Sequence, residues 1–238
     1  MQHLAWSTPD GPHEIALLAI ADGMGGHQAG QEASGLTVRT IASTLAPLLA
    51  GAQSGELLGI TPEQLLNDVD AAIKAANRKV YKRGHSDAAT RGMGAAVVLA
   101  LVWDGDALIG HAGDCRAYLL RDRRLAQVTQ DHTLVARMVE LGQLTPKEAA
   151  VHPRKNELTR AVGSSSELKP DLHHLQLIAG DWLVLACDGL HADVDERALQ
   201  LEIVRPVASA AERARQLVDL ANDKGGSDNC TVIAVAYR

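Results

Sequence analysis

Short apolar segments of strand length recur along most of the chain. Residues 15–21 form a continuous apolar run that ends in Asp-Gly, a pattern typical of a strand buried on both faces that leads into a loop. Further segments of this kind occupy residues 95–103, 108–112, 117–120, 125–128, 172–177, 182–187 and 230–237. Asp104-Gly105 joins the first two of these as a hairpin turn, and we expect the strands between residues 95 and 128 to form a β-meander.

Two long segments instead repeat apolar residues at helical spacing. Residues 32–49 place one apolar face on Ala33, Leu36, Thr37, Ile41, Leu45 and Leu48. A second helix is predicted after Thr61, an N-cap residue followed by Pro62 at the first helical position. Its apolar stripe consists of Leu65, Val69, Ala72, Ile73, Ala76 and Val80. We expect these two helices to lie side by side.

The second half of the chain contains shorter helical patterns and one stretch that resembles a loop. Helices are predicted at residues 132–141 and 208–221. Proline and charged residues with the pattern of one short helix follow the first of these, and residues 143–168 are predicted to form a surface flap. A chain of 238 residues without repeats or low-complexity tracts is expected to form a single domain.

Composition and charge exclude several classes of protein. A formal net charge of -6 gives a mildly acidic surface, which argues against a nucleic-acid partner. Cys115, Cys187 and Cys230 lie far apart without the spacing of a disulfide framework or zinc site, which favours a reducing cytoplasm. No apolar run approaches the roughly 20 residues that span a bilayer, and residues 1–12 do not resemble a secretion signal. We therefore expect a cytoplasmic monomer with no membrane partner.

Four aspartates occupy similar positions, where a predicted buried strand meets a loop. They are Asp22, Asp114, Asp188 and Asp228. If these strands pack in one sandwich, the carboxylates can meet at one end, where they would repel one another unless a cation neutralised them. Oxygen ligands alone favour Mg²⁺ or Mn²⁺ over zinc. Asp-Gly is also a common turn, however, and Asp10-Gly11 and Asp104-Gly105 are interpreted only as turns.

The residues around the four aspartates distinguish between these interpretations. The stretch Asp22-Gly23-Met24-Gly25-Gly26-His27, continuing through Gly30 to Glu32-Ala33-Ser34, closely resembles the first signature of bacterial type-2C (PPM) metal-dependent serine/threonine protein phosphatases. Further family signatures follow in order: Gly113-Asp114-Cys115-Arg116 with Tyr118, Thr129-Gln130-Asp131-His132, Leu158-Thr159-Arg160, Asp188-Gly189-Leu190 and Ser227-Asp228-Asn229. The resemblance spans about residues 15–235, and several motifs in order are far more specific than one Asp-Gly pair.

The resemblance implies a fold and a site. The family fold is an α+β, four-layer α-β-β-α sandwich of two antiparallel sheets flanked by helices. By similarity, Asp22 would bridge two Mn²⁺ or Mg²⁺ ions and the Gly23 carbonyl would bind one of them. Asp188 and Asp228 would hold the other ion, and Asp114 matches the ligand of a third, weaker metal. These residues would act in catalysis through the metals, whereas the substrate-binding residues stay unassigned.

The implied activity is hydrolysis of phosphoserine and phosphothreonine in proteins by a metal-activated water, without a phosphoenzyme. The expected partners are phosphorylated proteins that are substrates of a serine/threonine kinase. His27 and His132 are candidate proton donors to the leaving oxygen, although histidines in exposed loops are usually only solvated.

The chain departs from the family pattern at several positions. Family members usually begin with a strand that carries an arginine, followed by an Asn-acidic-Asp segment, and nothing before Asp22 matches it. Gly94-Ala95-Ala96 replaces the common Gly-Thr-Thr, and cysteine replaces a usual serine at Cys115 and Cys187. The missing arginine and acidic group would weaken the binding of phosphate and of one metal. A catalytically weak or inactive phosphoprotein-binding relative is therefore the alternative to an active phosphatase.

Overall fold

The computed structural model describes residues 1–8, 11–53 and 59–238, and the side chains of these residues except 2–13, 27 and 53. Its strands are β1 Gln2–Thr8, β2 Gly11–Met24, β3 Gly94–Trp103, β4 Asp106–Ala112, β5 Arg116–Arg121, β6 Arg124–Gln127, β7 Asp171–Gln176, β8 Trp182–Ala186 and β9 Val232–Ala236. Its helices are α1 His27–Gln53, α2 Pro62–Ser86, α3 Leu134–Glu140, α4 Pro146–Ala150, α5 Asp188–His191, α6 Glu196–Ile203 and α7 Ala210–Lys224, and a 3-10 turn covers Ala88–Thr90. Asp10, interpreted above as a turn residue, lies outside the described residues.

The strands form two antiparallel sheets that pack face to face. The first sheet has the order β1-β2-β3-β4-β7, and the second has the order β6-β5-β8-β9. Helices α1 and α2 pack side by side on the outer face of the first sheet, and α6 and α7 cover the outer face of the second. The predicted four-layer sandwich is therefore confirmed. Within the described part of the chain, no helix is both long and apolar enough to cross a membrane.

Strand β3 shows why the layers form. All ten of its residues are buried, since it lies in the middle of the first sheet between helices and the second sheet. Its odd-numbered residues, such as Leu99 and Leu101, face α1 and α2, whereas its even-numbered residues, such as Val98 and Ala100, face the second sheet. This alternation follows from the two-residue period of a strand, and burial of both faces explains the unbroken apolar sequence.

The predicted β-meander is wrong. Strands β3 and β4 pair with each other in the first sheet, but β5 and β6 pair in the second. Between β4 and β5 the chain turns at Gly113, which has a φ of +114° and packs against Ala96 of β3. Turn residues at Asp104-Gly105 do form the expected β3–β4 hairpin, with positive φ at both positions. The sequence predicts the strands and the turn, but it does not predict that the chain passes from the first sheet to the second between β4 and β5.

Several strands and helices begin or end at residues other than the predicted ones, and some of these differences affect the site. Strand β2 continues to Met24, so that Asp22 lies inside the strand and not after it. Helix α1 begins at His27 and not at residue 32, because it starts directly after the glycine turn. Helices α5 and α6 were not predicted. Within the predicted flap, α4 forms the expected short helix, and the Val162 backbone pairs with Ala95 at the start of β3.

Replacing Gly113 with alanine should destabilise the fold strongly. A Cβ atom there would lie 2.4 Å from Ala96 Cβ, at a φ that L-residues rarely adopt. We expect Gly113→Ala to lower the free energy of unfolding by about 3 kcal/mol, measured by urea denaturation. The matched control is Gly142→Ala, which has a φ of +69° in open space and should cost only about 1 kcal/mol. Equal costs would show that contact with Ala96 does not constrain this turn.

Candidate metal centre

Four segments bring the predicted aspartates to one end of the sandwich. Asp22 lies near the end of β2, and Asp114 lies in the turn between β4 and β5. Asp188 is the first residue of α5, directly after β8, and Asp228 lies in the loop before β9. A carboxylate oxygen of Asp22, one of Asp188 and the Cys187 sulfur all lie within 4.8 Å of one another. Gly113, next to Asp114, packs against Ala96, the β3 partner of Asp22, and Gly189 packs against Asn229, next to Asp228, so the structure brings the four aspartate segments together.

Burial, together with repulsion between the carboxylates, raises the proton affinity of two of these aspartates. Burial raises the pKa of Asp22 to about 7, assisted by a hydrogen bond to Asp188 and by the charges of Asp188, Asp228 and Asp114. Burial, followed by the charge of Asp188, likewise raises the pKa of Asp114 to about 7. A bound cation would favour the ionised form of both carboxylates, because its charge offsets their burial and their mutual repulsion.

The donor atoms fit a hard divalent cation. Asp188 Oδ1 is buried and has no hydrogen-bond partner among the described residues, although buried carboxylate oxygens normally have one. Gly23 follows Asp22 in β2, so its carbonyl also lies at this end of the sheet, and its backbone packs so closely on Gly30 that neither position has room for a side chain. A Cβ on Gly23 would lie 1.9 Å from the Gly30 carbonyl oxygen. Carboxylate and carbonyl oxygens are the ligands that Mg²⁺ and Mn²⁺ prefer.

Cys187 holds the loop that carries Asp228. Its sulfur accepts a hydrogen bond from the Thr231 amide at 3.1 Å, and its thiol donates to the Asn229 carbonyl at 3.2 Å. On the other side of the loop, Asp193 accepts a hydrogen bond from the Ser227 amide. The sequence indicated only that Cys187 replaces a common serine, and this contact explains why a small donor and acceptor is needed there.

His132 supports the turn that carries Asp114, and its side chain is buried and not exposed in a loop. Its Nδ1 accepts a hydrogen bond from the Gly113 amide at 3.2 Å, so Nε2 carries the proton and donates to Asp171 at 2.9 Å. Because the side chain is buried and both ring nitrogens are engaged, the structure does not support His132 as a proton donor to a leaving group. His27 begins α1 at this end of the molecule, and its side chain lies outside the described residues.

His111 joins His132 in a second group that has metal-ligand chemistry. One ring nitrogen of each histidine and a carboxylate oxygen of Asp171 lie within 4.8 Å of one another. His111 Nε2 donates to the Gly113 carbonyl at 3.1 Å, and Asp171 accepts a further hydrogen bond from Arg160 at 2.6 Å. These hydrogen bonds already occupy most of the atoms that could bind a metal. We therefore interpret the group as support for the Gly113 turn.

Two further contacts near Asp114 were not anticipated from the sequence. Arg116 forms a two-pronged ion pair with Asp131, at 2.8 and 2.6 Å, and this arginine also donates to the Tyr118 hydroxyl. His191 Nε2 donates to the Asp114 carbonyl at 3.1 Å, which ties α5 to the turn. Arg116, Tyr118 and Asp131 belong to quoted signatures, which was a signal that they matter, but only the structure shows their pairing.

Known proteins resemble this chain over nearly its whole length. The sequence model of the protein phosphatase 2C family matches residues 2–230. Protein phosphatase PhpP of Streptococcus pneumoniae is 34% identical over 226 residues, which cover 93% of this chain and 86% of PhpP. Among solved structures, serine/threonine phosphatase Stp1 from Staphylococcus aureus matches with a TM-score of 0.82 and 30% identity, covering 100% of this chain and 94% of Stp1. The catalytic domain of serine/threonine phosphatase PstP in complex with two manganese ions matches with a TM-score of 0.77 and 32% identity, covering 98% and 89%.

Substitutions of Cys187 should separate its hydrogen bonds from its volume. Cys187→Ala leaves the Thr231 amide and the Asn229 carbonyl without this partner, so we expect the free energy of unfolding to fall by about 2 kcal/mol. Cys187→Ser keeps a donor and an acceptor and should cost less than about 1 kcal/mol. Urea denaturation measures both values, and hydrogen exchange of the Thr231 amide should accelerate only in the alanine variant. An alanine variant as stable as the serine variant would show that these hydrogen bonds do not hold the loop.

Proposed function

Since the chain belongs to the protein phosphatase 2C family, we propose that its aspartate cluster is the catalytic centre of this phosphatase. The chain is a metal-dependent protein serine/threonine phosphatase that uses Mn²⁺ or Mg²⁺ and acts on phosphorylated proteins. The observation that carries the proposal is that four segments bearing aspartates converge where a buried Asp188 oxygen has no hydrogen-bond partner among the described residues. A cation would both neutralise these charges and satisfy that oxygen.

Each site residue receives a role in this proposal. Asp22, which has a carboxylate oxygen within 4.8 Å of one of Asp188, would contact two cations, one of which would also bind the Gly23 carbonyl. Asp188 and Asp228 would hold the second cation, and Asp114 would hold a third, weaker one. The two manganese ions in the PstP structure support a site with at least two cations, as does the similarity between the chains.

The chain's own residues position these groups for hydrolysis of a phosphate ester. When bound, the cations supply positive charge for the phosphoryl oxygens and lower the pKa of a water molecule. Cys187 is the thiol beside Asp22 and Asp188, and its proton is already donated to the Asn229 carbonyl. Because this thiol is hydrogen-bonded to the backbone, we assign it no role as a nucleophile, and the proposed reaction is direct hydrolysis by water.

The finer biological setting is also part of the proposal. We propose that the substrates are proteins phosphorylated by a serine/threonine kinase, and that the enzyme is a cytoplasmic monomer without a nucleic-acid or membrane partner. The acidic net charge of -6 supports the absence of a nucleic-acid partner. The alternative of an inactive phosphoprotein-binding relative finds no support in the site, since all four aspartates are present and converge.

Substitution of the aspartates tests the proposal directly. The wild-type chain should hydrolyse a phosphothreonine peptide only with Mn²⁺ or Mg²⁺, and a chelator should abolish turnover. Asp188→Asn and Asp228→Asn should each lower kcat by about 100-fold or more, because an amide replaces a charged ligand of similar shape. The matched control is Asp122→Asn in the β5–β6 turn, which should leave kcat unchanged. Full activity in chelator, or in the Asp188→Asn variant with an unchanged circular dichroism spectrum, would contradict the assignment.

A further inference from the structure

A separate cavity opens beside the aspartate cluster. It has a volume of about 410 Å³ and is lined by Met24, His85, Arg91, Met93 and Ser164 together with neighbouring glycines. Met24 lies two residues beyond Asp22 on the same strand, so the cavity begins about 7 Å from the aspartates at the strand rise of about 3.4 Å per residue. The cavity is therefore close enough to receive another part of a substrate bound at the aspartates.

The cavity presents one cationic group, Arg91, without a counter-charge among the residues that line it. The exposed Arg91 side chain has no ion-pair or hydrogen-bond partner among the described residues, and no aspartate or glutamate lines the cavity there. His85 donates from Nδ1 to the Tyr81 carbonyl at 2.8 Å and contacts the Tyr81 ring in a tilted arrangement, so the neutral imidazole offers the cavity an acceptor and no further donor. The unpaired Arg91 guanidinium is therefore the group that suits the cavity to an anion.

The surface around the cavity is also basic, although the whole chain is acidic. Residues 78–91 contain five arginines and lysines, namely Arg78, Lys79, Lys82, Arg83 and Arg91, and a single acidic residue, Asp87. Arg83 pairs with Glu32 and Asp87, but the other four have no ion-pair partner among the described residues. Basic residues often end a helix because they complement its dipole. Arg91 lies beyond the end of α2 and the following 3-10 turn, so the dipole does not explain its position.

We propose that this cavity binds a second anionic group of the phosphoprotein substrate, two to four residues from the phosphoresidue that is hydrolysed. This inference rests on the proposed function, because it assumes that the hydrolysed phosphate lies at the aspartate cluster. An extended peptide advances about 3.3 Å per residue, so a side chain two to four residues away reaches the cavity. An acidic side chain and a second phosphate share the required chemistry, and Arg91 recognises either through charge-assisted hydrogen bonds.

Peptide kinetics with Mn²⁺ can test this inference. Three phosphothreonine peptides of equal length would carry neutral residues, aspartates or a non-hydrolysable phosphonate at the second to fourth positions on either side. With the wild-type enzyme, we expect the aspartate and phosphonate peptides to show a KM about tenfold lower than that of the neutral peptide, with kcat unchanged. A larger effect of the phosphonate would identify a second phosphate as the better ligand, and an equal effect would identify acidic side chains as sufficient.

Two variants distinguish the cavity from general charge attraction. Arg91→Ala should remove the difference in KM between the peptides, whereas Arg78→Ala removes the same charge from α2 outside the cavity and should keep the difference. Both variants should hydrolyse para-nitrophenyl phosphate at the wild-type rate, because this small ester reports the hydrolytic site alone. Equal KM values for all peptides with the wild type, or equal losses in both variants, would overturn the inference while leaving the phosphatase assignment intact. Failure of the wild type to hydrolyse even the small ester would overturn both.

Discussion

Negative charges repel one another where β2, the β4–β5 turn and the start of α5 meet. Asp22, Asp114 and Asp188 are partly buried there, and burial, assisted by the charges of neighbouring carboxylates, raises the pKa values of Asp22 and Asp114 to about 7. A fold tolerates such a cluster only if the surrounding structure holds it in place and a cation then compensates the charge. The loops at this end of the sandwich hold the aspartates in place and leave their charges available to a cation.

Hydrogen bonds from uncharged groups hold the aspartate cluster in place. The nearby Arg116 pairs with another residue, so the negative charge of the cluster has no ion-pair partner among the described residues. Gly113 is fixed by two histidines, and the Asp228 loop is fixed by the Cys187 thiol. Arg116 lies close to Asp114 but is committed to Asp131 by two hydrogen bonds. Within the described residues, no arginine or lysine forms an ion pair with any of the four aspartates. The negative charge therefore stays available for metal ions, and the basic surface at Arg91 lies outside this centre.

Sequence reasoning could predict most of the fold and the identity of the site residues, because both depend on local patterns. The period of the apolar residues located the long helices and strands such as β3, and the order of signatures located Asp22, Asp114, Asp188 and Asp228. Long-range packing was not predictable in the same way. The crossing from one sheet to the other at Gly113 depends on close contact with Ala96, and no local pattern reports that contact. For the same reason His132 was interpreted as a loop residue, although its partners Gly113 and Asp171 lie 19 and 39 residues away.

Anomalous diffraction from crystals of the chain grown with Mn²⁺ would test the central claim most directly, because it locates the cations without relying on activity. We expect two manganese peaks at coordination distance from the carboxylates of Asp22, Asp188 and Asp228. No peak is expected between His111, His132 and Asp171, because hydrogen bonds to the backbone, within the group and to Arg160 already occupy every potential ligand atom there except His111 Nδ1. Manganese at the histidine group with an empty aspartate cluster would contradict the claim that carboxylate repulsion at this end of the sandwich is resolved by bound metal.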